Sequence, residues 1–277
     1  MQFLADALPD ASDADVVSHL AALSRFARHG RDAYENKSEQ ITTFALETLN
    51  RGTAPEEVLP IVPSSSSTAD ARSQEQEEDD STWVSDDKMA NLTNARILAI
   101  KTLTNHCLAF AESAQAAQVS EPVFNLLWPF IQPRDEGTIY KCVLLWRVGN
   151  GVADALVVSA TVESRLRLVA ALSLLKMATK VSFQAAINQH FDVLARTSQV
   201  RPRPPADDRC GYLSLRIQDA CFEVRSGFIS RLMKYLREDR IATPARYNMI
   251  FFLVAHDPDD ELRTEVRDAR LLPSHVN

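Results

Sequence analysis

Apolar residues recur along this chain at spacings of three and four, in runs bounded by residues that start or stop helices. Val16, Leu20, Leu23 and Ala27 form the first stripe. Asp13-Ala14-Asp15 offers capping oxygens before it, and Gly30 stands where a C′ glycine ends a helix. Ile41, Phe44, Ala45 and Thr48 form a second stripe between Ser38 and Leu49, stopped by Gly52 and then Pro55, Pro60 and Pro63. Two short amphipathic helices with a polar connection predict an αα-hairpin. Asn91 or Asn94 caps a third helix reaching about Ser113, with Ile97, Ile100, Leu103, Cys107, Leu108 and Ala111 on its apolar side. Pro122 suits the first turn of a fourth, with Val123, Leu126, Leu127 and Phe130 inward and Trp128-Pro129 at its end.

The later half keeps the same period. Arg165 to Thr179 carries no charge between Arg167 and Lys176, so that helix is expected to be enclosed on most sides. Phe183 to Leu194 reads as its partner, with Ala186, Ile187, His190, Phe191 and Leu194 inward. The prolines of Val200 to Asp208 make a connector. Tyr212 to Arg216 then begins a new hairpin, and Asp219 ends its first helix. The second helix turns Val224, Phe228, Ile229, Leu232, Tyr235 and Leu236 to one face, and Gly227, Ser230, Arg231, Lys234, Arg237 and Glu238 to the other. Thr243-Pro244 opens a further helix, Ala245 to Ala255. Gly137 to Val158 fits either a helix or a hairpin turning at Asn150-Gly151. A helix is preferred, since a lone hairpin has no sheet to join.

Two segments of this array repeat one pattern. Asp219, Val224 and Arg225 recur as Asp257, Leu262 and Arg263, about 38 residues on. Thr161, Leu166 and Arg167 form a weaker copy with Thr in place of Asp. An Asp just past one helix accepts hydrogen bonds from exposed N–H groups at the start of the next and complements its dipole. The Val or Leu fills the seam, and the Arg reaches the Asp of an adjacent repeat, giving a ladder of charge-assisted bonds. The competing reading is two unrelated helix caps in an ordinary bundle. The period favours an all-α fold, an α-solenoid of HEAT-type antiparallel helical hairpins.

Longer runs carry a closer resemblance. Ser164–Thr179 (SRLRLVAALSLLKMAT), Asp219–Leu236 (DACFEVRSGFISRLMKYL) and Ala245–Arg263 (ARYNMIFFLVAHDPDDELR) resemble the later HEAT repeats of the precocious-dissociation-of-sisters family, regulators of sister-chromatid cohesion. Thr82–Asp87 with Asn94–Ser113, and Lys37–Asn50, are similar to the fungal form of the same array. The resemblance implies a nuclear, chromatin-associated scaffold without catalysis. Its implied partners are the kleisin subunit of cohesin, the wings-apart-like release factor and the cohesin acetyltransferase. Chromatin is reached through cohesin. It also implies further repeats on both sides, so this stretch reads as a segment of the array or a truncated gene product, expected to self-associate or to need flanking repeats when isolated.

The expected organisation is a helical hairpin over 1–63, an acidic loop over 64–81, a helical repeat over 82–136, a divergent segment over 137–158, HEAT-type repeats over 159–268 and a tail over 269–277. The acidic loop carries Asp70, Glu75, Glu77, Glu78, Asp79 and Asp80 with no large apolar residue, which reads as a solvated linker.

Composition narrows the function. With 45% hydrophobic residues the chain has material for a core, and 7 Gly against abundant Ala and Leu favours helix. A net charge of −7 argues against phosphate-driven nucleic-acid binding by the whole chain. Cys107, Cys142, Cys210 and Cys221 form no CxxC pair and read as small hydrophobes in a reducing compartment. No basic leader follows Met1, and the longest apolar run, Leu168–Leu175, is far short of the ~18 residues that span a bilayer.

No histidine pair has ligand spacing, no glycine-rich phosphate loop exists, and no nucleophile elbow is present, so no cofactor, metal or catalytic residue is assigned. An all-α hydrolase using His106, His190 or a cysteine is the weakest alternative, and another solenoid adaptor of nuclear transport or vesicle coats is the runner-up. The candidate contact is the row Arg231, Lys234, Arg237 and Arg240, expected as a docking stripe for an acidic partner segment or else as a solvated face. Arg225 and Arg263 are expected to be ladder residues.

Overall fold

A computed structural model describes residues 5–8, 11–30, 34–50, 89–131, 153–197, 219, 221–241 and 243–271. These residues hold helices and no strand: α1 (Asp13–His29), α2 (Ser38–Asn50), α3 (Asn91–Ala109), α4 (Ala116–Ile131), α5 (Ala153–Met177), a 3₁₀ turn (Val181–Phe183), α6 (Gln184–Gln189), α7 (Phe191–Arg196), α8 (Phe222–Arg237), α9 (Pro244–Val254) and α10 (Asp260–Leu271). The fold is an all-α solenoid of HEAT-type hairpins. None of these helices is long and apolar enough to cross a membrane.

The helices form two rows. Helices α1, α3, α5 and α8 pack in succession. Side-chain bonds set their register: Asn105 of α3 donates to Ser24 of α1, 81 positions earlier, and Lys176 of α5 donates to Asn105, 71 positions later. Ser230 of α8 donates to Glu265 at 3.0 Å, which extends the row to α10. Helix α2 packs on α3, and α4 on α5. In the second row, Phe124 of α4 meets Phe183 edge-on at 6.1 Å, and Phe191 of α7 meets Tyr247 of α9 at 5.1 Å and 89°. One connected apolar cluster runs from Ala5 to Val266 through both rows. Val16, Leu20, Leu23, Ala27, Ile100, Leu103, Phe228 and Ile229 all lie in it, nearly fully buried. Stacking neighbours bury these stripes; no hairpin could do so alone.

Several sequence expectations change at helix ends. Ser12, not Asp13 or Asp15, caps α1: its hydroxyl accepts the Asp15 N–H at 3.3 Å and donates to the Asp15 carboxylate at 2.7 Å. Gly30 does end α1, but at φ −131°, so any residue could adopt its backbone. Neither Asn91 nor Asn94 caps α3. Its cap is Ala90, Asn94 instead donates to the Met89 carbonyl, and the helix stops at Ala109. Helix α4 begins at Ala116 and continues through Pro129 to Ile131. Both prolines face solvent, where water can serve the carbonyls they leave open. Trp128 is therefore no terminator: it is buried, stacked on Phe124 at 6.3 Å.

Helix α5 begins at Ala153, so the end of the 137–158 segment is helical and Thr161 sits inside a helix, not in a turn. It cannot occupy the position of the repeat Asp. The partner of α5 is broken at His190, whose side chain is exposed against Trp128 rather than inward. The acidic segment 64–81, Trp83, residues 137–152, the connector 200–208, Tyr212–Arg216 and the tail from 272 lie outside the described residues.

Gly227 was expected on the open face of its helix. It faces α5 instead: a Cβ there would sit 3.2 Å from Leu168 Cδ2 and 3.3 Å from Cδ1. Its place mid-helix costs about 1 kcal/mol against Ala in propensity and permits the close crossing. Gly227→Val is expected to destabilise the chain by about 1–3 kcal/mol through overpacking, read as a lower urea midpoint. Leu168→Ala in the same background should recover part of the loss.

Candidate partner-docking site

The repeat residues assemble into a ladder along the first row. Arg167 of α5 grips Asp219 through two bonds, Nε to Oδ2 at 2.7 Å and Nη2 to Oδ1 at 3.0 Å. Arg225 of α8 grips Asp257 likewise, Nε to Oδ2 at 2.8 Å and Nη2 to Oδ1 at 3.3 Å. The intermediate rungs run through main chain: Arg225 Nη1 donates to the Asp219 carbonyl at 3.0 Å, and Arg263 Nη1 donates to the Asp257 carbonyl. Each Asp also accepts the N–H two residues on, from Cys221 at 3.0 Å and from Asp259 at 2.9 Å. That turn aims the chain into the next helix. Asp259 then caps α10 by accepting the Leu262 N–H at 2.9 Å.

The chemistry explains the residue types. A planar guanidinium matches a carboxylate with two parallel bonds and keeps a third nitrogen for a carbonyl, which a lysine could not do. Val224 and Leu262 fill the seams at 0% and 1% exposure, and Leu166 is buried beside Arg167. The Arg167–Asp219 rung is partly open, with Arg167 23% exposed, whereas Arg225 and Asp257 are 5% and 1% exposed. Burial alone disfavours the Arg167 charge; the Asp219 carboxylate overrides it and raises the guanidinium pKa.

The ladder holds one side of α8 while the other faces solvent. Arg231, Lys234, Arg237 and Arg240 are all exposed. Arg240 lies beyond the helix, and its position depends on how the helix ends. The Asp239 N–H bonds to the Leu236 carbonyl at 3.1 Å and the Arg240 N–H to the Tyr235 carbonyl at 2.9 Å, with Asp239 at φ 50°. This is a Schellman ending with Asp in the position glycine usually takes. It turns the chain back so that the Arg240 guanidinium lies 4.3 Å from the Tyr235 ring centre, with Arg231 at 6.0 Å from the same ring. Glu238 pairs with Arg240 at 3.3 Å and approaches Lys234 at 3.8 Å. The four cations lie on the exposed side of α8 and its ending, with two exposed acids, Glu238 and Asp239, between Arg237 and Arg240. An aromatic ring beneath two guanidiniums limits their motion and leaves their edges available to an anion.

The histidine and cysteine candidates are placed apart. His106 is wedged between Tyr34 (5.7 Å) and Phe110 (5.0 Å), and burial pushes its pKa down to about 4. Burial pushes the neighbouring Cys107 thiol up to about 12, so it stays protonated. His190 packs against Trp128 in the other row, ring centres 5.0 Å apart and the planes tilted by 45°. Among the described residues no three His, Cys, Asp or Glu side chains are grouped to hold a metal ion.

Sequence reasoning missed one feature here, the convergence of cations from other helices on Lys176. Burial, and then the charges of Arg28, Arg240, Arg231 and Lys101, lower its pKa to about 8. Only the side-by-side packing of α1, α3, α5 and α8 brings these positions together, so no local pattern signals it.

The comparisons agree with the architecture. The family model for the sister chromatid cohesion protein PDS5 protein matches residues 1–271. A curated relative, the sister chromatid cohesion protein pds5 of Schizosaccharomyces pombe, is 27% identical over 186 residues, which covers 67% of this chain and 12% of that protein. The chain thus spans a small part of the relative's length. With a family match across nearly all its residues, and with stacked HEAT-type hairpins, the chain belongs to the PDS5 family of sister chromatid cohesion proteins.

Proposed function

We propose that this chain is a non-catalytic scaffold that regulates cohesin on chromatin in the nucleus by holding a segment of the kleisin subunit. The observation that carries this is the exposed row Arg231, Lys234, Arg237 and Arg240 on a helix whose opposite side is pinned by the Arg–Asp ladder. A rigid row of cations suits an acidic peptide, since charge complementarity speeds encounter and sets orientation. Family membership and the relative's name support the setting in sister-chromatid cohesion. In this reading the wings-apart-like release factor and the cohesin acetyltransferase are further partners of the same array.

The test is binding of the kleisin central region to the wild type and to the triple variant Arg231→Glu, Lys234→Glu, Arg237→Glu by isothermal calorimetry. Binding is expected to weaken at least tenfold with an unchanged melting temperature, because all three side chains are exposed. Equal affinity in the two proteins would remove the stripe as the contact.

A further inference from the structure

The start of α9 carries a compact motif, Thr243-Pro244-Ala245-Arg246. It sets a proline directly after a hydroxyl residue and a cation two places further. Proline-directed protein kinases select that pattern around their acceptor. Of the 13 prolines in the chain, Pro244 alone follows a serine or threonine. All four residues of the motif are exposed. Helix initiation does not account for the hydroxyl. Thr243 holds the N-cap position, yet no side chain caps α9. Its Oγ1 donates instead to Gln184 Oε1 of α6, at 2.9 Å.

A kinase reads its substrate extended, so the first turn of α9 has to unwind locally. That turn is weakly held. It lacks a capping side chain, Pro244 brings no N–H, and the first N–H groups of a helix have no intrahelical acceptor. Opening it breaks the Thr243–Gln184 bond and lifts Arg246 from the Phe191 ring, whose centre is 4.6 Å away. The buried side of α9 starts only at Tyr247, so the core stays closed.

A phosphate at this place acts on its surroundings in two ways. It cannot donate to Gln184 Oε1, and the Gln184 amide cannot turn over to serve it, because its Nε2 is bonded to the Ala178 carbonyl. No acid stands in the first turn of α9, so the phosphate turns toward N–H groups and Arg246. It also lies three residues from Arg240, at most about 11 Å between Cα atoms, close to one Debye length in physiological salt. Along the exposed side of α8 and its ending, Arg231, Lys234, Arg237 and Arg240 outweigh Glu238 and Asp239 by two positive charges. A phosphothreonine brings close to two negative charges at neutral pH, enough to cancel that surplus.

We propose that Thr243 is the acceptor site of a proline-directed serine/threonine kinase, and that its phosphate weakens docking of an acidic segment on the α8 row. The second part rests on the function proposed above. In the transfer the Thr243 oxygen bonds to the γ-phosphorus of ATP as the β–γ bridging P–O bond breaks. ADP leaves, and the hydroxyl proton passes to the carboxylate base of the kinase.

The test treats the full chain with MgATP and a purified cyclin-dependent kinase and maps the product by mass spectrometry. One phosphate is expected, on Thr243. Pro244→Ala, which keeps the hydroxyl, should abolish labelling, and Arg246→Ala should slow it about fivefold or more. The labelled and untreated chains are then titrated with the kleisin central region by calorimetry. Labelling is expected to weaken binding about fivefold or more, and kinase-treated Pro244→Ala should bind like the untreated chain. No phosphate on Thr243, or undiminished labelling of Pro244→Ala, overturns the proposal. Unchanged affinity after full labelling overturns it as well. The triple variant at Arg231, Lys234 and Arg237 then separates the two readings. If that variant has lost binding, only the effect of the phosphate fails; if it binds like the wild type, the α8 row fails too.

Discussion

Asp257→Asn lowers the folding free energy of this chain by about 3–5 kcal/mol, the range for breaking one side of a buried ion pair. The carboxylate is almost completely buried and accepts two bonds from Arg225, itself 5% exposed. Its Oδ1 also accepts the Asp259 N–H that turns the chain into α10. The amide keeps the shape but loses the charge, and its NH₂ faces a guanidinium donor. Arg225 then keeps its bond to the Asp219 carbonyl but stays buried without the carboxylate that balances its charge. The loss is expected to be regional. Hydrogen exchange should rise first in α9 and α10, which hang on this rung, before it rises in α1 and α3.

The neighbouring rung provides an internal control. Asp219→Asn meets an arginine that is 23% exposed, so water can replace part of what is lost. Its cost should be smaller, about 1–2 kcal/mol after that screening. A double variant, Arg225→Met with Asp257→Leu, should be less destabilised than either single change, because it removes both charges together. Urea unfolding of these variants, with Arg225→Met and Asp257→Leu alone and the wild type beside them, checks the order. A larger cost at Asp219 than at Asp257 would contradict the burial argument.

Asn105→Ala carries the second large effect, about 2–3 kcal/mol. This side chain joins three parallel helices. Its Nδ2 donates to the Ser24 carbonyl at 3.0 Å and to Ser24 Oγ at 2.8 Å, while its Oδ1 accepts from Lys176. The donors and acceptors fix the amide orientation, since only the oxygen can receive an ammonium N–H. Alanine leaves a buried serine and a lysine amine without these bonds in an otherwise apolar seam. Asn105→Leu restores volume but not bonding, and should still be destabilised.

The same site gives a pH signature. The folded pKa of Lys176 is lowered to about 8 from an ordinary 10.5. Between these values the unfolded chain holds a proton that the folded chain has released, so stability rises with pH across that window. Lys176→Met should flatten the rise, seen as a smaller gain in melting temperature between pH 8 and pH 10. His106 acts in the acid range. Its folded pKa is about 4 against an ordinary 6.5, so stability present above 6.5 is lost as pH falls toward 4.

The ladder shows how much of this protein is written locally. The Asp, the seam residue and the Arg recur within one linear pattern, and bidentate geometry follows from their chemistry. The period is visible only between the last two repeats, where 32 residues separate Arg225 from Asp257. Between Arg167 and Asp219 the separation is 52, and the offsets between α1, α3 and α5 are 81 and 71. Chain of unequal length between hairpins hides the repeat from a fixed-period search. It leaves the stacking intact, because each hairpin needs only its neighbours' apolar faces.

The sequence by itself determined the helices, their inward stripes, the all-α solenoid class and the exposed cations of α8. These follow from period, side-chain size and charge, all local properties. Only the tertiary structure decided what meets across helices. It set Gly227 against Leu168, joined Asn105 to both Ser24 and Lys176, and gathered cations from α1, α3 and the α8 region around one amine. It also placed Asp239 in a left-handed ending that no glycine announced. Such contacts depend on the offset and crossing of neighbouring helices, which packing of the whole stack selects and no single helix encodes.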